Sequence, residues 1–100
     1  MAVTSKALAR TAAATSSTTL YTVPASTTAI ITNIVAVNTA TSAATFTITL
    51  DGVELFKDVA LAANSTAAFD LKQTLATTKI VAGLASATTV KFHISGVEIA

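Results

Sequence analysis

The chain is 100 residues long and holds 22 Ala and 20 Thr but only 6 basic and 5 acidic residues, for a formal net charge of +1. The basic residues are scattered from Lys6 to Lys91, which is not the clustered footprint that nucleic-acid binding requires. The absence of cysteine excludes disulfides and thiolate metal sites, and no uninterrupted apolar run is long enough to make a transmembrane helix. One small domain is expected, with a core that barely offsets its ordering entropy, so subunit association is the remaining common means of stabilising it.

Residues 1–17, MAVTSKALARTAAATSS, contain no aromatic residue and little periodicity. They read as an N-terminal arm, flexible or ordered on a partner, although Ala, Leu, Lys and Arg there also favour a short helix over Ser5 to Ala14. Thr and Ser interrupt any apolar stretch that could serve as a secretory signal, so synthesis and assembly in a cytoplasm are expected. Residues 18–100 read as one domain of strands. Thr18 to Val23 is the first strand and stops at Pro24, which cannot donate to a ladder. Thr28 to Asn38 carries aliphatic residues on both faces, as a strand covered on both sides would.

Thr45-Phe46-Thr47-Ile48-Thr49-Leu50 alternates strictly, and Asp51-Gly52 follows as a hairpin turn. The return strand runs from Val53 to about Leu61. Asn64-Ser65 then turns into Thr66 to Leu71, Lys72-Gln73 marks another break, and Thr78 to Leu84 and Thr88 to Ile99 complete the series. Seven to eight short strands with no internal helix predict an all-β, antiparallel β-sandwich, jelly-roll or immunoglobulin-like.

A two-residue hairpin loop would pair Leu50 with Val53, Thr49 with Glu54, Ile48 with Leu55 and Thr47 with Phe56. Phe46, Ile48, Leu50, Val53 and Leu55 then face the core, and Thr45, Thr47 and Thr49 face outward with Glu54, Phe56 and Asp58. Phe56 is an aromatic on the polar face. Either a β-bulge returns it to the core or it anchors a subunit interface. The outward threonines make a neutral, hydroxyl-rich surface suited to contact with other protein, so Thr45, Thr47, Thr49, Phe56 and Tyr21 are the candidate interface residues.

Nothing in the chain assembles a reactive centre. His93 is the only histidine and shares a strand face with Lys91 and Ser95, whereas a metal or catalytic role needs convergent partners. Asp51 belongs to the turn, and Asp70 beside Lys72 makes an exposed ion pair. No acidic loop suits calcium and no glycine-rich loop suits phosphate. The alternating run Thr45-x-Thr47-x-Thr49 is not repeated at a fixed period, as an ice-binding face would require. No enzyme activity, cofactor or metal is expected.

The segment Leu20-Tyr21-Thr22-Val23-Pro24-Ala25-Ser26-Thr27-Thr28-Ala29, followed by Ile34-Val35-Ala36-Val37-Asn38 and Ala44-Thr45-Phe46-Thr47-Ile48, resembles a pattern in small structural proteins of tailed bacteriophages. The likeness covers roughly residues 17 to 61, and Ser26 stands where that pattern usually has glycine. The resemblance implies a virion structural protein with no catalytic residues. The expectation is a capsid decoration (cement) protein on the surface of the phage head. It would be a homo-oligomer, a trimer, bound to the major capsid protein, with neither nucleic acid nor membrane as partner. The alternatives are a neck, tail or baseplate component forming a ring, and a carbohydrate-binding tip module, which the shortage of Tyr and Trp disfavours.

Overall fold

A computed structural model of the chain describes residues 2–100. Eight strands run in order: β1 (Val3–Ala12), β2 (Thr18–Thr22), β3 (Thr28–Asn38), β4 (Ala44–Leu50), β5 (Val53–Leu61), β6 (Thr66–Leu75), β7 (Ile80–Ala85) and β8 (Val90–Ile99). They form two four-stranded sheets, β1-β8-β3-β6 and β2-β7-β4-β5.

The pairings β4–β5, β3–β6, β2–β7 and β1–β8 are all antiparallel. The chain is therefore one long hairpin, closed at Asp51-Gly52, whose doubled ribbon is wound so that successive strand pairs alternate between sheets. The further pairings β3–β8 and β4–β7 join the ribbon to itself. This winding is the jelly-roll order and not the immunoglobulin one. Asp51 and Gly52 both have positive φ, 54° and 78°. That is the mirror-type turn whose twist suits a two-residue hairpin.

The core lies between the sheets. Ile31, Ile34, Phe46, Ile48, Val81, Val90, Phe92 and Ile94 are fully buried, drawn from both sheets by the period-two alternation of their strands. Four phenylalanines meet there. Phe46 lies 5.9 Å from Phe92, 6.1 Å from Phe56 and 6.3 Å from Phe69 between ring centroids, and Phe56 and Phe69 are 4.4 Å apart. Such aromatic contacts add to simple area burial.

Four expectations need correction. The predicted arm is not separate: Val3–Ala12 is an edge strand paired with β8 from Val3↔Ile99 to Ala12↔Lys91. Ala2 and Ala100 close the pair with reciprocal backbone hydrogen bonds of 2.8 Å. Pairing with the edge of β8 outweighs the helix propensity of the alanines, and β1 is almost wholly exposed, which is why no periodic signal marks it.

In the hairpin, Ile48 pairs with Phe56 and Phe46 with Val59. β5 thus carries extra residues at Leu55 and again at Lys57-Asp58, where Asp58 sits at φ 47°. The first bulge turns Phe56 inward. Val53, expected in the core, lies beside the turn and is 67% exposed.

Third, β6 runs on through Lys72 and Gln73, and the turn comes after Leu75. Ile31 pairs with Gln73 and Asn33 with Asp70, so Leu71-Lys72 oppose the single residue Thr32 and the strand bends instead of stopping. Fourth, β3 is covered on one side only: Ile30, Val35 and Val37 face outward and are half-buried.

Two close fits support this frame. A Cβ on Gly96 of β8 would lie 2.3 Å from the Ile30 carbonyl oxygen, so only glycine fits there. Asn38, at the end of β3, is 1% exposed. Its Nδ2 donates to the carbonyls of Ser42 (2.8 Å), Leu61 and Ala62 (each 3.3 Å), and its Oδ1 accepts from the Ala40 N–H (3.1 Å) and the Thr89 hydroxyl (3.3 Å). One amide therefore ties three connections together at that end of the sandwich.

Candidate interface surfaces

The outer face of the second sheet carries the threonine row. By register, Thr49 opposes Ala82 and Thr47 opposes Leu84, while Thr19 and Thr22 on β2 flank Ala82 and Ile80. The face is uncharged except at the β5 edge, where Glu54, Lys57 and Asp58 are exposed. The three threonines do not offer three equivalent hydroxyls. Thr47 is 5% exposed, and its Oγ1 accepts from the Asp58 N–H at 3.0 Å, satisfying the bulged backbone. The Thr49 hydroxyl donates to the Ala82 carbonyl at 3.4 Å. At Thr45 the backbone N–H donates to Ser86 Oγ at 2.9 Å. Of the three hydroxyls, those of Thr47 and Thr49 are thus committed to backbone groups, on a face that carries no charge away from the β5 edge.

Phe56 is half-buried and packs against the core cluster through Phe46 and Phe69, so it does not project as an interface anchor. No phenylalanine stands as an exposed platform on which a sugar could stack: Phe46 and Phe92 are buried, and Phe56 and Phe69 are packed against them.

Tyr21 lies at the open side of the sandwich. Its hydroxyl donates to Glu98 Oε2, and Lys6 Nζ sits 3.3 Å from Glu98 Oε1. Tyr21 is on β2, Glu98 on β8 and Lys6 on β1, so this chain of contacts clasps the two sheets together. The Tyr21 hydrogen bond, then Lys6, hold the Glu98 carboxyl below the usual carboxylate range, against an opposing effect of desolvation. Desolvation, followed by the bond to Glu98 and its charge, pushes the Tyr21 phenol well above its ordinary value. The Glu98 side chain is only 14% exposed.

The outer face of the first sheet was not anticipated as a surface of interest. Outward residues on its central strands are Ile30, Val35 and Val37 of β3 and Val97 and Ile99 of β8, all half-buried. They are interrupted by Asn33 and Ser95, paired with each other, and by His93 beside Val35. His93 is exposed and lies between Val35 and Arg10 in register. Asp70 Oδ1 accepts from Asn33 Nδ2 at 3.1 Å. The ion pairs of the described residues are Lys6–Glu98, Lys57–Asp58 and Lys79–Asp51, so the expected Asp70–Lys72 pair is not among them.

Among the described residues, no cluster of three or more His, Cys, Asp or Glu could hold a metal ion, and no helix is long and apolar enough to cross a membrane. A depression of about 500 Å³ lined by Thr32, Asp70, Leu71 and Lys72 opens broadly to solvent at the β6 bulge. Neither a known protein-family model nor a curated protein matches the sequence.

Proposed function

We propose that the chain is a structural protein of a tailed-bacteriophage virion, a decoration protein that binds the assembled head and bridges neighbouring major capsid subunits. The observation carrying this reading is that both sheets turn broad faces outward with few charges at their centres, threonine-covered on one and with Ile30, Val35, Val37, Val97 and Ile99 on the other. Such faces suit burial against protein more than they suit open solvent. The resemblance of Leu20–Ala29 and the segments after it to phage structural proteins narrows the kind of protein partner. The work of such a protein is mechanical. A molecule that binds the assembled shell and not its free subunits stabilises the assembly by mass action, with no reactive group required.

The test is the copy number of an epitope-tagged chain in particles purified from cells that express it, read by quantitative mass spectrometry against the major shell protein. A decoration protein is present on the scale of the shell protein itself. A copy number equal to a single ring would move the assignment to the neck or tail, and absence from particles would remove the virion reading altogether.

A further inference from the structure

We infer that the outer face of the β1-β8-β3-β6 sheet is a self-association surface, on which a second copy of this chain packs face to face about a two-fold axis parallel to the strands. The argument rests on the register of that face and is independent of the virion reading.

Five rows of outward side chains cross the sheet. Two of them matter most. One row is Arg10–His93–Val35–Ala68, and the next is Ala7–Ser95–Asn33–Asp70. The β1 edge of the face is therefore basic at Arg10 and the β6 edge carries Asp70, with Lys72 beside it at the bulge. His93, Val35, Ser95 and Asn33 lie between in these two rows, and Ile30 and Val97 in the next. A two-fold axis along the strands lays the β1 edge of one copy over the β6 edge of the other at the same level.

Arg10 then stands over the partner's Ala68, within side-chain reach of the partner's Asp70 one row away, and symmetry makes the contact twice. On the central strands Ile30 meets the partner's Val97, Val97 meets the partner's Ile30, and Asn33 meets the partner's Ser95, polar against polar. Lys91 leaves the contact at its rim, where its Nζ lies 3.5 Å from the Thr88 carbonyl. The complementarity is specific to this axis. An axis perpendicular to the strands and parallel to the sheet would instead lay Arg10 over a partner's β1 edge, which bears no acidic residue on that face.

The size also fits. Four strands about 4.8 Å apart and five rows about 6.8 Å apart cover roughly 600 Å² per copy, or about 1,200 Å² for the pair, the lower end of specific interfaces. Aligned packing of two twisted sheets is an ordinary way to bury such faces. A two-fold pair differs from the trimer anticipated for a decoration protein, and a three-fold assembly on a shell would need a second contact through another surface.

The experiment is the solution mass of the full chain by light scattering across a concentration series, with Arg10→Glu, Asp70→Arg and the double variant, each checked for an unchanged β circular-dichroism signal. Both positions are exposed, so the fold should survive all three variants. The expected result is a species of twice the 10.0 kDa chain mass. Each single reversal should weaken it by about tenfold or more, and the double variant should return close to the original affinity. A monomer at every concentration, a trimer indifferent to Arg10→Glu, or a dimer on which the two reversals act additively would each overturn the inference.

Discussion

At the residue scale, the Tyr21–Glu98–Lys6 clasp gives the fold a pH signature. The folded-state acidity of Glu98 is strengthened, so its contribution to stability is present above the ordinary carboxylate pKa of about 4.3 and is lost as pH falls through the lower folded value. Tyr21 works in the opposite sense. Its folded pKa is raised, so its contribution is complete below the ordinary phenol value of about 10 and declines as pH rises beyond it. The clasp should therefore act fully between those limits. Tyr21→Phe removes the largest influence on Glu98, which moves its carboxyl back toward the ordinary range. Thermal melts from pH 3 to pH 8 should show the wild type above Tyr21→Phe at neutrality and the two converging in acid. A constant gap across that range would mean that Tyr21 contributes only packing.

At the element scale, β1 is a strand bound on one side only, and its worth can be measured by removing it. Leu8 lies at the β1 bulge, with its Cδ1 so near Gly96 that a Cβ there would come within 2.8 Å. Deletion of residues 2–12 would strip the ladder from β8, uncover this contact and leave a long exposed edge. Loss of at least about 3 kcal/mol is expected from the half-buried Leu8 and Ala9 and the lost hydrogen bonds. Urea unfolding of the truncated chain measures it. A truncated protein of unchanged stability would restore the view of residues 1–17 as an independent arm.

The contrast between β1 and β4 explains what the sequence could convey. Strict alternation through Thr45–Leu50 and the Asp51-Gly52 turn announced β4, β5 and the faces of the β4 side chains, but not those of β5, where Val53 is exposed and Phe56 turns inward. β1 could not be announced, because its period is hidden when nearly every residue is exposed. The bulges at Leu8, Thr32 and Asp58 could not be announced either. A bulge is decided by what the partner strand opposes to it, and here Thr47 supplies the acceptor that fixes one. For the same reason the threonine row was legible as a face but not as a set of partly committed hydroxyls. Tyr21 and Glu98 are 77 positions apart, and only the winding of the ribbon brings them together.

At the scale of the whole molecule, a 100-residue sandwich without disulfides has little stability to spare, and it leaves Ile30, Val35, Val37, Val97 and Ile99 half-covered on one broad face. These two facts bear on each other. If a second copy covers that face, folding and association are linked, and the free energy of pairing adds to that of the single chain as the concentration rises above the dissociation constant. The midpoint of thermal unfolding should then climb with protein concentration, and in Arg10→Glu, which keeps the aliphatic face but reverses its basic edge, the climb should begin only at about tenfold or more higher concentration. Differential scanning calorimetry over a hundredfold range of concentration makes the comparison. A midpoint independent of concentration in the wild type would show a chain whose core suffices alone, and the aliphatic face would then have to be tolerated in solvent. A climb equal in both proteins would place the association on another surface, with the threonine-covered sheet the first to examine.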